Sequence, residues 1–134
     1  MKDGEIMYQK KLKEKCQSPL EYALKIFGGK WNTNVYCIIV NNEPISFNDI
    51  KRKIGEISDP VLSATLKQLV KNDIIIRKVI SESLRVEYSV SAKGKEIVPY
   101  LQQICKWFIK YNSSEEYIQY DSYCQNCSLL KKNS

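Results

Sequence analysis

Histidine is absent from all 134 residues. That absence removes a Ser-His-Asp or Cys-His catalytic arrangement and every histidine metal ligand. Glycine is sparse, at five positions, and the one adjacent pair, Gly28-Gly29, does not make a phosphate-cradling loop. Asp and Glu are scattered, without a paired-carboxylate or metal-box spacing. The expectation is therefore a protein that is not an enzyme and needs no cofactor and no metal. Apolar runs fall well short of the ~20 residues that span a bilayer. The opening stretch, M-K-D-G-E-I-M-Y-Q-K-K, lacks the apolar centre of a secretory signal. A cytoplasmic location with no membrane partner is expected.

Charge is what the chain has in excess. The net charge is +6, and its placement matters more than its size. Residues 51–95 carry ten Lys and Arg against five Asp and Glu, whereas residues 96–134 balance to zero. A local positive field attracts a polyanion and gains by releasing its counterions. A basic surface without such a partner is also common, so charge alone does not decide the matter.

The basic stretch has a readable pattern. From Ser58 to Asn72 the chain runs S-D-P-V-L-S-A-T-L-K-Q-L-V-K-N. Leu62, Leu66 and Leu69 fall at i, i+4 and i+7, the spacing of one buried helical stripe. Asp59, Ser63 and Lys67 fall at i, i+4 and i+8 on another, polar face. Ser58 suits the N-cap, since its hydroxyl can accept a free first-turn N–H, and Pro60 suits the first turn. A shorter helix, Ser46 to Ile54, precedes it across the tight stretch Gly55-Glu56-Ile57, with Phe47, Ile50 and Ile54 as its apolar face. Asn72 is expected to end the second helix in a left-handed conformation. Ile74 to Ile80 and Arg85 to Ser91 then form a β-hairpin, the second strand alternating Val86, Tyr88 and Val90 with Arg85, Glu87 and Ser89. Helix, turn, helix and hairpin in this order read as a winged helix-turn-helix. Arg85 is placed at the base of the wing, and the exposed cations Arg77 and Lys78 could reach phosphates.

Helices flank this unit. Ser18-Pro19 opens one that runs to Phe27, with Leu20, Ala23, Leu24 and Phe27 as a stripe, and Gly28 stops it. The next, from Lys30 or Trp31 to about Asn41, is apolar over most of its circumference and belongs at the centre of the core. Ser91 to about Tyr111 reads as one long helix striped by Ile97, Leu101, Ile104, Phe108 and Tyr111. So much apolar surface on a peripheral helix suggests a second subunit, although burial within one subunit also accounts for it. The fold class expected is α+β, mainly helical: a winged helix-turn-helix with flanking N- and C-terminal dimerisation helices. Residues 1–15 form a polar arm, residues 16–111 the DNA-binding domain with its dimerisation helices, and residues 112–134 a tail.

Taken together, several runs resemble the HxlR-type winged-helix transcription regulators: C-x-x-P at Cys16 to Pro19, G-G-K-W at Gly28 to Trp31, and S-F-N-D-I-K-R-K-I from Ser46. After them come I-S-D-P-V-L-S-A-T-L-K-Q-L from Ile57, I-I-I-R from Ile74, V-E-Y-S-V-S-A-K-G-K from Val86, and K-W at Lys106. The resemblance implies a homodimer on an inverted-repeat operator in double-stranded DNA. The Ser58 helix would lie in the major groove, and the wing at the backbone or minor groove. Carried over by position, Asp59, Pro60, Ser63, Ala64 and Lys67 face the groove and Arg77 is the arginine of the first wing strand. With Ser58, Lys78 and Arg85 these make the expected DNA-contacting set. Ser46 and Pro60 stand where the family often has Arg and Lys, and Asn72-Asp73 where it usually has Asp-Gly.

Five cysteines stand at 16, 37, 105, 124 and 127. Their odd number does not suggest a disulfide framework, and Cys37 and Cys105 sit in apolar stretches that suit the core. Cys16 precedes a helix N-terminus beside Lys13 and Lys15, which favour the thiolate. Members of the resembled family sense oxidants or electrophiles near this position. Cys16 is the candidate sensor, which leaves room for a small-molecule or oxidant effector. Cys124-Gln125-Asn126-Cys127 supplies two ligands, and a structural zinc site wants four. Two alternatives stay open: a thiol redox or zinc-binding protein using Cys16 and the Cys124/Cys127 pair, and a winged-helix protein-docking module. Nothing in the sequence marks a ligand pocket.

Overall fold

The structure, a computed structural model, describes residues 17–112. The elements run α1 (Pro19–Phe27), α2 (Asn32–Asn42), β1 (Ile45–Ser46), α3 (Phe47–Ile54), α4 (Asp59–Lys71), β2 (Ile75–Ile80), β3 (Arg85–Val90), α5 (Ala92–Glu96) and α6 (Val98–Tyr111). This is the α+β, mainly helical winged helix-turn-helix. Its three strands are antiparallel in the order β1-β3-β2, so β2 is an edge.

Local chemistry sets the helix starts. Ser18, Ser46, Ser58 and Ser91 each stand in extended backbone, and each side-chain oxygen accepts the N–H three residues on. Every such bond satisfies a donor that the first helical turn leaves free. Ser18 is reinforced by Glu21, whose carboxylate accepts the Gln17 N–H at 2.8 Å. Gly55 closes the turn between α3 and α4 at φ +92°, a backbone that residues with a Cβ rarely adopt. At the end of α4 the left-handed residue is Asp73, at φ 60°, and not Asn72, at φ −84°. Asn72 instead closes the helix by donating its N–H to the Gln68 carbonyl at 3.0 Å, and the Asp73 N–H donates to the Val70 carbonyl at 2.9 Å.

α2 is the central element. Its residues Val35 to Ile39 are all buried, and it packs on α3, α4 and β3. Leu62, Leu66 and Leu69 of α4 face it from the predicted stripe, and Ile50, Ile75, Tyr88 and Val90 complete the core. The Tyr36 hydroxyl, fully buried, donates to the Gly94 carbonyl at 2.7 Å. Fifty-eight residues separate the two in sequence.

The long C-terminal helix of the sequence reading is in fact two. Ile97 ends α5 and starts α6, and Pro99 lies in the first turn of α6. Pro99 has no N–H to offer the Lys95 carbonyl and its ring would crowd that oxygen, so a continuous helix is not available. The break turns α6 so that Val98, Leu101 and Cys105 pack on the core. Tyr100, Ile104, Trp107, Phe108 and Tyr111 remain exposed. Leu20, Tyr22 and Leu24 of α1 are exposed as well.

Candidate nucleic-acid interface

The outer face of α4 follows from the burial of its inner one. With the leucine stripe inside, Ser58, Asp59, Pro60, Ala64 and Lys67 are exposed and Ser63 is half-buried. The row Asp59, Ser63, Lys67 continues one turn further to Lys71, which the sequence reading passed over although it sits at the same spacing of four. Asp59 already has a partner: the Lys51 ammonium of α3 bonds its Oδ1 and ties the first turn of α4 to α3. A carboxylate there also complements the positive end of the α4 dipole.

The wing divides its cations between two faces. Arg77 lies opposite Tyr88 in the ladder and Lys78 opposite Glu87. Successive residues of a strand point to opposite sides. Arg77 therefore shares the face of Ile75, Tyr88 and Val90, which is the side that packs on α4. Lys78 lies on the outer face. Arg85 is not at the base of the wing. It pairs with Ile80, next to the Ser81–Leu84 turn, and so stands at the tip. The hairpin order requires this, because the first residue after the turn is the one farthest from where the strands enter the domain.

Two clefts flank the helix-turn-helix. One, of about 500 Å³, lies between α4 and the wing and is lined by Ser63, Leu66, Lys67, Val70, Lys71, Arg77 and Tyr88. The other, of about 520 Å³, lies between the start of α3 and the wing and is lined by Ser46, Phe47, Asn48, Asp49, Arg52, Arg85 and Val86. There the Arg52 guanidinium donates to Asp49 Oδ1. That bond, with the nearby charges of Arg52 and Arg85 and a bond from Ser46, holds the Asp49 carboxyl below the usual carboxylate range. Arg85 also lies 3.8 Å from Glu87. Four of the expected DNA-contacting residues line these clefts. Ser63, Lys67 and Arg77 line one cleft, while Arg85 lines the other with Arg52, which the sequence reading did not single out.

The cysteine expectations divide in the same way. Cys37 is buried and Cys105 half-buried against the core. Cys16 and the Cys124/Cys127 pair lie outside the described residues. Among the described residues no cluster of Cys, Asp and Glu has a metal-binding arrangement, and no helix is long and apolar enough to cross a membrane.

Comparison with known proteins gives consistent matches. The HxlR-like helix-turn-helix family matches residues 26–116. An uncharacterized HTH-type transcriptional regulator of Halalkalibacterium halodurans is 34% identical over 104 residues, which is 77% of this chain and 92% of that protein. Another, from Methanothermobacter thermautotrophicus, is 36% identical over 98 residues, 72% of this chain and 74% of that protein. Among solved structures, the reduced form of the transcriptional regulator YodB from Bacillus subtilis superposes with a TM-score of 0.66 at 26% identity, covering 72% of this chain and 96% of that one. The reduced form of the redox regulator HypR superposes at 0.65 with 27% identity, covering 75% and 100%.

Proposed function

Because this chain belongs to the HxlR-like helix-turn-helix family of transcriptional regulators, we propose that it grips an inverted-repeat operator in double-stranded DNA as a cytoplasmic homodimer. Residues 16–111 serve as the DNA-binding and dimerisation unit, with residues 1–15 as an arm and 112–134 as a tail. Ser58, Asp59, Pro60, Ser63, Ala64 and Lys67 face the major groove. Arg77, Lys78 and Arg85 meet the backbone on either side of the wing. The observation that carries the reading is the outward row of α4 from Asp59 through Lys67 to Lys71, with Arg77 on the same cleft. Base edges are read by such a helix, while flanking cations fix its position on the phosphates. Pro60 and Ala64 add small apolar surface suited to a thymine methyl group.

The dimer is supported by the apolar faces of α1 and α6. Leu20 is 67% exposed and Trp107 64% exposed in the single chain, and large apolar side chains exposed along these helices are the kind of surface a partner subunit covers. A two-fold dimer presents two α4 helices to two half-sites.

Regulation by oxidants or electrophiles through Cys16 is the third part of the proposal. Its support is that HypR is a redox regulator and that YodB structures include diamide-treated and quinone-bound forms. The test is a gel-shift titration on the DNA upstream of the protein's own reading frame, with reduced and diamide-treated protein at two salt concentrations. Tight, salt-sensitive binding is expected, with affinity falling about 0.9 log units per log unit of salt for each phosphate neutralised. Lys67→Glu should abolish binding without unfolding the protein, and Cys16→Ser should remove the diamide response. Weak binding, equal on unrelated DNA, would refute the operator reading.

A further inference from the structure

We propose that the cleft between α4 and the wing is a binding site for a small aromatic carboxylate, and that its occupancy excludes DNA. The first argument is charge. Lys67 and Lys71 from α4 and Arg77 from β2 line one opening, and none of the described lining residues is acidic. Among the described residues none of these three cations is paired with a carboxylate. Arg77 presents a planar fork that matches a carboxylate with two parallel bonds, and Lys71 adds a point charge beside it. Ser63 offers a hydroxyl on the same wall.

The second argument is the apolar part of the lining. Leu66, Val70 and Tyr88 supply it, and a bare phosphate has no use for apolar surface. An anion carrying a flat apolar body does, because it removes that surface from water while its charge stays at the rim. Arg77 and Tyr88 are directly opposed in the ladder, so a guanidinium and a phenol ring stand next to each other on the wall facing α4. The volume of about 500 Å³ lies within the ~300–1,000 Å³ of small-molecule sites. A ligand here uses Lys67 and Arg77, two of the groups assigned to DNA. Competition, though not binding itself, therefore rests on the proposed DNA contacts.

The experiment is calorimetric titration of the full chain, without DNA, using 1-naphthoate. Inorganic phosphate serves as the bare anion and 1-naphthalenemethanol as the bare apolar body. Naphthoate is expected to bind at least about tenfold more tightly than either. Arg77→Ala and Lys71→Ala, both at exposed positions, should each weaken it about tenfold or more, the size of a lost charge-assisted bond. Lys71 lies outside the assigned DNA set, so its variant reads the ligand site separately from the operator. Naphthoate should then release bound operator in a gel shift. Equal binding of naphthoate and phosphate would overturn the proposal and leave a seat for a DNA phosphate alone. Absence of binding, or binding untouched by both variants, would overturn it as well. Variant-sensitive binding of naphthoate that leaves bound operator in place would sustain the site and refute the competition. The same binding by a chain with no operator affinity would refute the DNA reading and leave the ligand site standing.

Discussion

Replacing Gly94 with alanine places a Cβ 2.2 Å from the Ile74 carbonyl oxygen, 2.8 Å from Val90 Cγ1 and 3.1 Å from the Ile74 carbonyl carbon. Carbon and carbonyl oxygen approach to about 3.3 Å at closest, so α5 must retreat from the end of the hairpin by roughly 1 Å. The retreat strains a knot of hydrogen bonds. Ser91 N donates to the Ile74 carbonyl at 3.0 Å, the Ser91 hydroxyl reaches the carbonyls of Asp73 and Ile74 at 2.6 and 3.0 Å, and Gly94 N donates to that hydroxyl at 2.9 Å. The Tyr36 hydroxyl holds the Gly94 carbonyl from the other side. Overpacking costs about 1–3 kcal/mol, and weakening one or two buried hydrogen bonds adds about 1 kcal/mol each. A total of about 2–5 kcal/mol is expected, which lowers Tm by about 8 °C or more in a domain of about 100 residues. Differential scanning fluorimetry at fixed protomer concentration measures it. Gly29→Ala is the control: φ is +83° and no atom lies within 4 Å of the added Cβ, so only backbone strain of about 1–2 kcal/mol applies. A Gly94→Ala loss below about 3 °C, or one no larger than the control, would refute the close-approach argument.

Three other outcomes follow from the structure. Tyr36→Phe keeps the ring against Phe27 but leaves the Gly94 carbonyl without its donor; about 1–3 kcal/mol should be lost in urea unfolding, and a neutral result would mean water replaces the bond. Asp49 has its carboxyl held low by Arg52 and by the nearby charge of Arg85. Its stabilisation is therefore present above the ordinary aspartate value and is lost as pH falls through the lower folded value. Asp49→Asn should flatten that acid limb of a stability-versus-pH curve, and an unchanged limb would show that other carboxylates set it. Trp107→Asp in α6, at a side chain 64% exposed, should yield a folded monomer by light scattering with unchanged far-ultraviolet circular dichroism; a persisting dimer would place the subunit interface elsewhere.

Short-range features were legible where one residue type settles local geometry. The serine caps, Pro60 in the first turn of α4, the leucine stripe and the strand alternation all reappear in the structure, because each follows from the helix or strand period and from a single donor–acceptor pair. Pro99 carried a legible signal that the long apolar stripe masked, so α5 and α6 read as one helix. Arg85 was misplaced by reading the strand as an isolated segment, where neither end is marked as tip or base. Asp59 was read only as part of the polar row of its own helix, because its partner Lys51 sits on the preceding helix, across a turn whose angle no periodicity specifies.

The sequence by itself determined the order of helix-turn-helix and wing, the buried stripe of α4 and the family to which the chain belongs, since these depend on residue types at fixed spacing. Only the tertiary structure decided which cations share a surface. Arg77 joins Lys67 and Lys71 around one cleft, while Arg85 joins Arg52 around another. The close seating of Gly94 on Ile74 was likewise decided only when α5 packed against the hairpin. Contacts between residues distant in the chain depend on how whole elements dock. Docking is set by the summed burial of α2, α4 and the sheet, and no local spacing encodes that sum.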